Sequence, residues 1–261
     1  MRIALAQTNI IWEDKIANQK TASKMINDAA LDNSDIIIFP EMSLTGFSMN
    51  IDIIAEHIDD SPTINFFSSE AKKHKIFIAF GLAVIEQDGK IYNKCIVVND
   101  NGDIVSQYSK IHPFSFGVET KYFTGGSELA FFDLKGVKTS TFVCYDMRFP
   151  EIFQPASKEC CLLLVIACWP EERIEHWEIL TKARALENQC FIAGVNRTGA
   201  EMKYHYIGHS QIVGPCGKLV TEITEDEALI IHDINIEEAS RYRQKFLISQ
   251  DRRPEIYKKY L

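Results

Sequence analysis

The sequence predicts a single α/β domain, and three observations support this fold class. The chain has 261 residues, enough for one large α/β domain or two small ones, and 46% of them are hydrophobic, which can fill a sizeable core. Strand-like and helix-like segments intermingle along the whole chain. No internal repeat, low-complexity tract or linker separates them. We therefore expect one domain over residues 1–261, with two packed layers of sheet or helix on a shared core.

The first part of the chain predicts a strand and a helix followed by buried strands. Residues 2–10 are strand-like, and residues 16–31 place apolar side chains at helical spacing. Residues 35–39 form a compact β-branched run, typical of a strand buried on both faces. A second helix is expected over 66–74 and another buried strand over 75–85.

The middle of the chain predicts two strand pairs. Residues 90–98 and 103–109 flank a segment that contains Asn101-Gly102, and an Asn-Gly pair is a strong hairpin signal. Residues 129–134 and 137–143 predict a further β pair. Sheets that mix hairpins with crossover helices argue against a simple doubly wound fold.

The second half adds a long helix among several strands. Residues 162–167 are apolar enough for a buried strand, and residues 173–189 predict a helix. Its apolar positions recur at i, i+4, i+7 and i+11, which are Ile179, Ala183, Leu186 and Cys190. Further strands are expected over 191–195, 210–213, 218–223 and 229–234, and the tail over 237–261 begins as a helix.

Charge and hydropathy exclude several classes of partner. The formal net charge is −8, which disfavours a surface that tracks phosphates, so no nucleic-acid partner is expected. The longest apolar run, residues 160–169, is about half of the ~20 residues that a membrane helix requires. Residues 1–11 have no signal-peptide pattern. No membrane association and a cytoplasmic location are the expectations.

The seven cysteines lie mostly in apolar stretches and form no C-x-x-C pair. An odd number of cysteines without such spacing indicates a reducing compartment and disfavours a redox or metal protein. His205 and His209 have the i, i+4 spacing of metal ligands, but Gly208 between them opposes a helix, so loop histidines are the better interpretation. We expect no metal and no cofactor.

Three reactive residues each follow a predicted strand: Glu41, Lys110 and Cys144. Taken alone, each has a simpler explanation, because most charged residues are solvated and most cysteines are buried and inert. Strand ends, however, present side chains to a common crevice. There a carboxylate could accept the thiol proton while an ammonium stabilises the resulting anion. Backbone N–H groups at the strand-to-helix junction could lower the pKa of Cys144 or bind an oxyanion.

Three blocks of sequence around these residues resemble the signature of the nitrilase, or carbon–nitrogen hydrolase, superfamily. They cover residues 39–47, 108–112 and 143–151, and the resemblance continues through 183–189 and 251–254. It implies a four-layer α-β-β-α sandwich, usually paired across a two-fold interface into a homodimer in which the two sandwiches stack. It also implies a small-molecule amide substrate and no metal or organic cofactor.

The resemblance assigns a role to each residue of the site. Glu41 is expected to be the general base, Lys110 the cation of the oxyanion site and Cys144 the nucleophile. Glu119 matches an additional glutamate that such enzymes place near the lysine. The backbone N–H of Tyr145 is expected to complete the oxyanion site.

Within the superfamily, Cys168-Trp169-Pro170 and the run from 183 to 189 look most like bacterial omega-amidases, which deamidate 2-oxoglutaramate and succinamate. Such a substrate requires a cationic recess for its distal carboxylate. The candidates, which sequence alone does not rank, are Arg148, Arg173, His176 and Lys121. Arg148 could instead pair with Asp146 or another acid, and Trp169 could line the pocket or belong to the core.

Four alternatives remain open from the sequence. A nitrilase, an N-carbamoyl amidase and a deaminated glutathione amidase share the same catalytic residues. A catalytically silent partner protein of the same fold is disfavoured, because a scaffold does not require Glu41, Lys110 and Cys144 together.

Overall fold

The computed structural model describes residues 1–201 and 204–260, so Leu261, the last residue of the predicted tail, lies outside the described residues. The helices are α1 (Lys15–Leu31), α2 (Ile51–Ile54), α3 (Pro62–His74), α4 (Pro150–Glu159), α5 (Ile174–Asn188), α6 (Glu237–Lys245), α7 (Ile248–Asp251) and α8 (Pro254–Tyr257). The strands are β1 (Arg2–Gln7), β2 (Ile36–Ile38), β3 (Glu56–His57), β4 (Phe77–Ile85), β5 (Ile91–Val98), β6 (Ile104–Ser109), β7 (Phe131–Leu134), β8 (Val137–Val143), β9 (Leu162–Ala167), β10 (Phe191–Asn196), β11 (Thr198–Glu201), β12 (Tyr204–Ile207), β13 (Gln211–Val213) and β14 (Ala228–Asp233). Within these ranges, no helix has the length and apolar character needed to cross a membrane.

Side chains fix where the two long N-terminal helices begin. The Asp14 carboxylate accepts a hydrogen bond from the backbone N–H of Ala17 and caps α1. Ser61 caps α3 in the same way through the N–H of Ile64, and Pro62 occupies the first helical position. These contacts satisfy N–H groups that have no partner within the helix.

Two mixed sheets form the centre of the molecule. The first sheet has the strand order β14-β1-β2-β4-β5-β6, with β3 also paired to β4, and the second has the order β13-β10-β9-β8-β7. In the first sheet β2 runs parallel to β1 and β4, whereas β5 is antiparallel to both of its neighbours. In the second sheet β9 runs parallel to β8 and β10. The predicted mixture of hairpins and crossovers is confirmed.

Alternating side chains place these sheets between two layers of helix. On β1, Ile3 and Leu5 join a core that includes Phe142 of β8 and Trp177 of α5. The intervening residues of β1 face the other way, onto α1 and α3. The chain therefore forms the four layers of an α-β-β-α sandwich, as the resemblance implied, within a single α/β domain.

Helix α5 is present, but its predicted apolar face was assigned to the wrong side. Ile179 is 63% exposed and Leu186 is 46% exposed, whereas the buried side carries Trp177, Thr181, Arg184, Ala185 and Asn188. The spacing of the apolar residues was read as the buried face of the helix. Arg184 and Asn188 are buried because they form hydrogen bonds, and a pattern of hydrophobic residues does not reveal such positions. An apolar stripe therefore lies on the outer surface of this helix.

The segment after β10 also differs from the prediction. Residues 218–223 form no strand, and only Leu219 makes an isolated bridge, to Val213. The hairpin of β11 and β12 was not predicted, and it places His205 on a strand rather than in a loop. No helix joins His205 to His209, as the sequence indicated. Short polar strands of this kind carry too weak an alternation to be recognised.

Strand direction brings the reactive residues to one end of the sandwich. Because β5 is antiparallel to both β4 and β6, β6 runs in the same direction as β2. Glu41 and Lys110 follow those strands and therefore emerge at the same edge of the first sheet. Cys144 and Cys168 follow the parallel strands β8 and β9 of the second sheet.

Candidate active site

Glu41, Lys110 and Cys144 meet at this end of the sandwich, as the sequence predicted. The Lys110 Nζ donates to Glu41 Oε1 at 2.8 Å. Glu41 is fully buried and Lys110 is 1% exposed, so this ion pair is separated from bulk water. The charges of Glu41 and Lys110 both act on the Cys144 thiol, because they raise and lower its pKa, respectively. Base, cation and thiol therefore form one contiguous group.

A second carboxylate, Glu119, binds the same lysine. Lys110 Nζ lies 3.1 Å from Glu119 Oε1 and 3.0 Å from Glu119 Oε2. Glu119 is fully buried, although it belongs to a short 3₁₀ turn in the loop that follows β6. The backbone N–H of Phe114 also donates to Glu119 Oε2. The two carboxylates thus share one ammonium group.

These charges raise the pKa of Lys110. Burial by itself would lower that pKa, but Glu119, Glu41 and Cys144 together raise it well above the ordinary value. Lys110 therefore remains a cation at any physiological pH.

Cys144 stands at a sharp turn between β8 and the 3₁₀ helix Cys144–Arg148. Its φ of 47° lies in the left-handed region, which is uncommon for a residue with a Cβ. The Sγ atom points toward the backbone carbonyl of Cys168, 3.9 Å away. Such a turn exposes the sulfur at the end of the sheet, as in nucleophile elbows of other hydrolases.

The expectation that backbone groups could lower the thiol pKa is not met. Burial, followed by the charge of Glu41, raises the pKa of Cys144 well above its ordinary value, although Lys110 acts in the opposite direction. Cys144 is partly exposed through a cavity, yet protein surrounds its sulfur on most sides. The Cys144 side chain at rest is therefore a neutral thiol.

The loop that carries Glu41 is fixed by close backbone packing against β4. Ser43 Oγ donates to the Pro40 carbonyl at 2.6 Å and accepts from the Gly81 N–H at 2.8 Å. A Cβ at Gly81 would lie 2.7 Å from the Cα of Glu41, so only glycine permits this approach. The backbone N–H of Cys168 donates to Glu41 Oε2 at 3.0 Å and orients the carboxylate.

Asp146 holds the turn that carries Cys144 against the strand that carries Lys110. Its Oδ2 accepts from the Tyr108 hydroxyl at 2.8 Å and from the Val143 N–H at 3.2 Å. Its Oδ1 accepts from the backbone N–H of His112 at 3.0 Å. Burial and then Asp146 raise the pKa of Tyr108 well above its ordinary value, which keeps the hydroxyl as a donor.

The thiol opens into a cavity of about 920 Å³. This volume lies at the upper end of the ~300–1,000 Å³ range typical of ligand pockets. Its wall includes Lys110 and Cys144 at the bottom, aromatic side chains around them, and two arginines. The aromatic and arginine residues of the wall are Trp12, Phe47, Phe114, Phe116, Tyr145, Arg148, Trp169, Arg173, Tyr204 and Tyr206.

Arg148 lines this cavity and is not paired with Asp146. Its guanidinium lies over the Trp169 ring at 4.9 Å and contacts His176 Nδ1 at 3.2 Å. In the described chain it forms no ion pair with an acid. Its charge is therefore available to a ligand.

The other predicted cationic candidates differ in position. Arg173 lines the cavity and lies 3.9 Å from the Glu172 carboxylate. His176 is exposed and contacts Arg148, and Lys121 is exposed and does not line the cavity. Trp169 belongs to the hydrophobic core, since it is 3% exposed, and it also lines the cavity.

The sequence did not predict the roles of three residues of the site. They are Asn93, which binds both carboxylates, Asp146, which joins the turn after β8 to β6, and Cys168, whose backbone N–H binds Glu41. Asn93 Nδ2 donates to Glu41 and to Glu119. An asparagine inside a predicted strand is a signal for such a role, because asparagine is depleted in strands. Asp146 and Cys168 lie inside the recognised blocks, but their partners are distant in sequence.

Histidines do not assemble into a metal site. Over residues 1–201 and 204–260, no group of three or more His, Cys, Asp or Glu side chains could hold a metal ion. His205 Nδ1 contacts Glu171 at 2.7 Å, and His209 Nδ1 contacts Glu178 at 2.6 Å. Each of the two histidines thus contacts a different carboxylate, and they do not converge on one point.

Comparison with known proteins agrees with this geometry. Residues 2–244 match the family described as carbon-nitrogen hydrolase. A 2-oxoglutaramate amidase of Bacillus subtilis (strain 168) is 33% identical over 257 residues, which cover 98% of this chain and 98% of the relative. The omega-amidase YafV of Escherichia coli (strain K12) is 29% identical over 253 residues, which cover 96% of each chain.

A solved structure shares the architecture. It is XC1258 from Xanthomonas campestris, described as a CN-hydrolase superfamily protein with an arsenic adduct in the active site. The two folds superpose with a TM-score of 0.91 at 29% identity and cover 97% of each chain. The similarity therefore extends over the whole sandwich.

Proposed function

The chain belongs to the carbon–nitrogen hydrolase family and is an amidase of that superfamily, and from this premise we propose that it is a cysteine-dependent omega-amidase. It hydrolyses a small carboxylate-bearing amide, of the 2-oxoglutaramate or succinamate type, to the acid and ammonia. The observation that carries the proposal is the buried Glu41–Lys110 pair beside a neutral Cys144 thiol at the bottom of an arginine-lined cavity.

In the first half-reaction Glu41 takes the proton of Cys144 while the sulfur attacks the amide carbonyl. A general base is needed because the raised thiol pKa leaves little thiolate at neutral pH. The oxyanion is met by the Lys110 ammonium and by the backbone N–H of Tyr145, which lies early in a 3₁₀ helix where no intrahelical acceptor precedes it. Loss of one such donor typically costs ~10²–10³ in rate.

Collapse of the tetrahedral intermediate releases ammonia and leaves a thioester on Cys144. The proton that Glu41 removed from the thiol passes to the leaving nitrogen. Glu41 then accepts a proton from water as the water oxygen attacks the thioester carbonyl. The carbon–sulfur bond breaks, Glu41 returns that proton to the sulfur, and the acid leaves while the free thiol is regenerated. Glu119 keeps Lys110 in place and charged throughout this cycle.

The distal carboxylate of the substrate is proposed to bind Arg148. This guanidinium faces the cavity, stacks on Trp169 and is not neutralised by an acid in the described chain. Arg173 already has Glu172 nearby, which reduces its attraction for an anion. A planar guanidinium can hold a carboxylate through two parallel hydrogen bonds.

A cytoplasmic homodimer is the proposed working form. The seven cysteines are all free, as expected in a reducing compartment. The outward apolar stripe of α5, with Ile179 and Leu186, is typical of a surface that packs against another chain. Light scattering should accordingly give a mass twice the 29.8 kDa of one chain.

A second candidate is an amidase for a longer carboxylate-bearing amide, of the deaminated glutathione type. The observation that favours it is the cavity volume of about 920 Å³, which is more than a five-carbon acid fills. Such a substrate would use the same catalytic residues and a more distant part of the wall.

The deciding experiment is ammonia release from a substrate panel. The panel contains succinamate, 2-oxoglutaramate, glutamine, an aliphatic nitrile and an N-carbamoyl amino acid. Deaminated glutathione is assayed separately, because its hydrolysis releases a larger amine instead of ammonia. We expect turnover chiefly of the first two, and its loss in the Cys144→Ala variant, with the fold checked by circular dichroism. Wild-type-like activity of that variant would refute the nucleophile assignment, and a preference for another substrate would refute the substrate assignment.

A further inference from the structure

Asn93 donates a hydrogen bond to each carboxylate of the Glu41–Lys110–Glu119 cluster. It lies on β5 and is 1% exposed. Its Nδ2 donates to Glu41 Oε1 at 2.7 Å and to Glu119 Oε1 at 2.9 Å. Its backbone carbonyl accepts from the Lys110 N–H at 2.9 Å. One strand residue therefore connects both carboxylates to the backbone that carries the lysine.

The surrounding charges determine which way the Asn93 amide faces. With the reverse orientation, the amide oxygen would point at two carboxylates, which can only accept hydrogen bonds. With the observed orientation, each hydrogen of the amide group serves one carboxylate. The amide thus offsets the repulsion between two acids that share a single ammonium.

This arrangement has a cost elsewhere on the same side chain. The Asn93 Oδ1 is buried and has no hydrogen-bond partner in the part of the chain that the structure describes. An unpaired buried acceptor is unfavourable for stability. An apolar side chain would fill the same space without an unpaired oxygen. The two hydrogen bonds donated by Nδ2 must therefore offset the cost of burying Oδ1.

We propose that Asn93 is a positioning residue for the reaction, an inference that rests on the proposed role of Glu41 as the base. Asn93 does not line the cavity and does not contact substrate. It acts by orienting Glu41 next to Lys110, Glu119 and the thiols of Cys144 and Cys168. Because the amide donates to both carboxylates, its removal should change the pH at which this cluster gains a proton.

The test compares Asn93→Leu, which keeps the volume and removes the donor, with Asn188→Leu as a matched control. Asn188 is also buried, and its amide donates to Arg184 O and to Glu187 Oε1, away from the site. The first readout is kcat, KM and the acid limb of the kcat/KM profile for succinamate. The second is the acid limb of Cys144 alkylation by iodoacetamide, followed by peptide mass mapping, which requires no turnover.

We expect kcat of Asn93→Leu to fall about 10²-fold, because a misplaced catalytic group is that costly, while KM stays within about twofold. Both acid limbs should move to higher pH, since carboxylates without their donor bind a proton more readily. Asn188→Leu should leave both limbs unchanged. If Asn93→Leu does not fold, Asn93→Ser, which keeps a shorter donor, should show an intermediate loss and the same direction of shift.

Two results would overturn the inference: acid limbs of the Asn93 variants that coincide with those of the wild type, or a loss of activity explained entirely by a lower Tm. A failure of the proposed function looks different. In that case the wild type would release no ammonia from any amide of the panel, and the alkylation profile would still decide the role of Asn93.

Discussion

At the scale of single residues, the site is a small set of charges whose partners determine their chemistry. Lys110 stays charged because two carboxylates outweigh its burial, and Cys144 stays protonated because burial and Glu41 outweigh Lys110. Burial disfavours the charged form of both groups, but only at Lys110 do the neighbouring charges outweigh it. A neutral thiol beside the Glu41 carboxylate supports the proposed general-base mechanism over a preformed thiolate.

Arg148 gives a prediction at this scale. Arg148→Gln should lower kcat/KM for succinamate by ~10-fold or more, because a charged hydrogen bond to the distal carboxylate is lost. Turnover of butyramide, which has no carboxylate, should change little. The measurement is steady-state ammonia release for both substrates. If Arg173→Gln shows the selective loss instead, the carboxylate binds at Arg173 and the assignment to Arg148 is wrong.

At the scale of elements, the site depends on strand ends held together by short contacts. β4 passes directly beneath the loop that carries Glu41, and Gly81 is the point of closest approach. Asp146 joins the turn after β8 to Tyr108 of β6 and to the backbone beyond it. Each of these contacts connects segments that are far apart in sequence and fixes the position of a side chain of the candidate site.

Gly81→Ala tests this dependence. An alanine Cβ would lie 2.3 Å from the Met42 backbone nitrogen, and a backbone atom cannot rotate away as a side chain can. The loop must shift, so kcat/KM should fall about 10²-fold. Gly214→Ala is the control, since its added Cβ would meet nothing closer than 3.7 Å. Wild-type kcat/KM in Gly81→Ala would show that the position of the loop is not critical.

At the scale of the whole molecule, two sheets and two helix layers bury most of the thiols together with the active site. Burial raises the pKa of Cys95 and of Cys160 to about 12, and it raises the pKa of Cys190 and Cys168 above the ordinary value. Cys216 alone among the seven cysteines is classed as exposed. The buried thiols are therefore unreactive for two reasons: reagents do not reach them, and their raised pKa values keep them protonated.

Thiol titration tests this distribution. With Ellman's reagent at mildly alkaline pH, the native protein should show one fast thiol, and Cys216→Ser should remove that fast phase. A raised pKa means less thiolate at a given pH, so the buried thiols should react slowly. All seven should react once guanidinium unfolds the chain. Several fast thiols in the native protein would contradict the packing described above.

Much of the fold could be predicted because its signals are local. The pattern of residues 162–167 matches β9 to the residue, and the Asn101-Gly102 turn joins β5 to β6 as expected. The face of α5 could not be predicted, because Arg184 and Asn188 are buried through hydrogen bonds to distant groups rather than through hydrophobicity. Residues 218–223 were assigned to a strand because they are moderately apolar, but they pair only at Leu219.

The sequence by itself determined which reactive residues follow strands, and therefore that Glu41, Lys110 and Cys144 share one end of the sheets. The position of each residue directly after a predicted strand suffices for that expectation, because strand ends present side chains to a common crevice. Only the tertiary structure decided that Asn93 and Asp146 connect the site, that Arg148 is free of Asp146, and that the thiol pKa is raised. The physical reason is that hydrogen bonding and desolvation depend on atoms a few ångströms away, which belong to segments that are far apart along the chain.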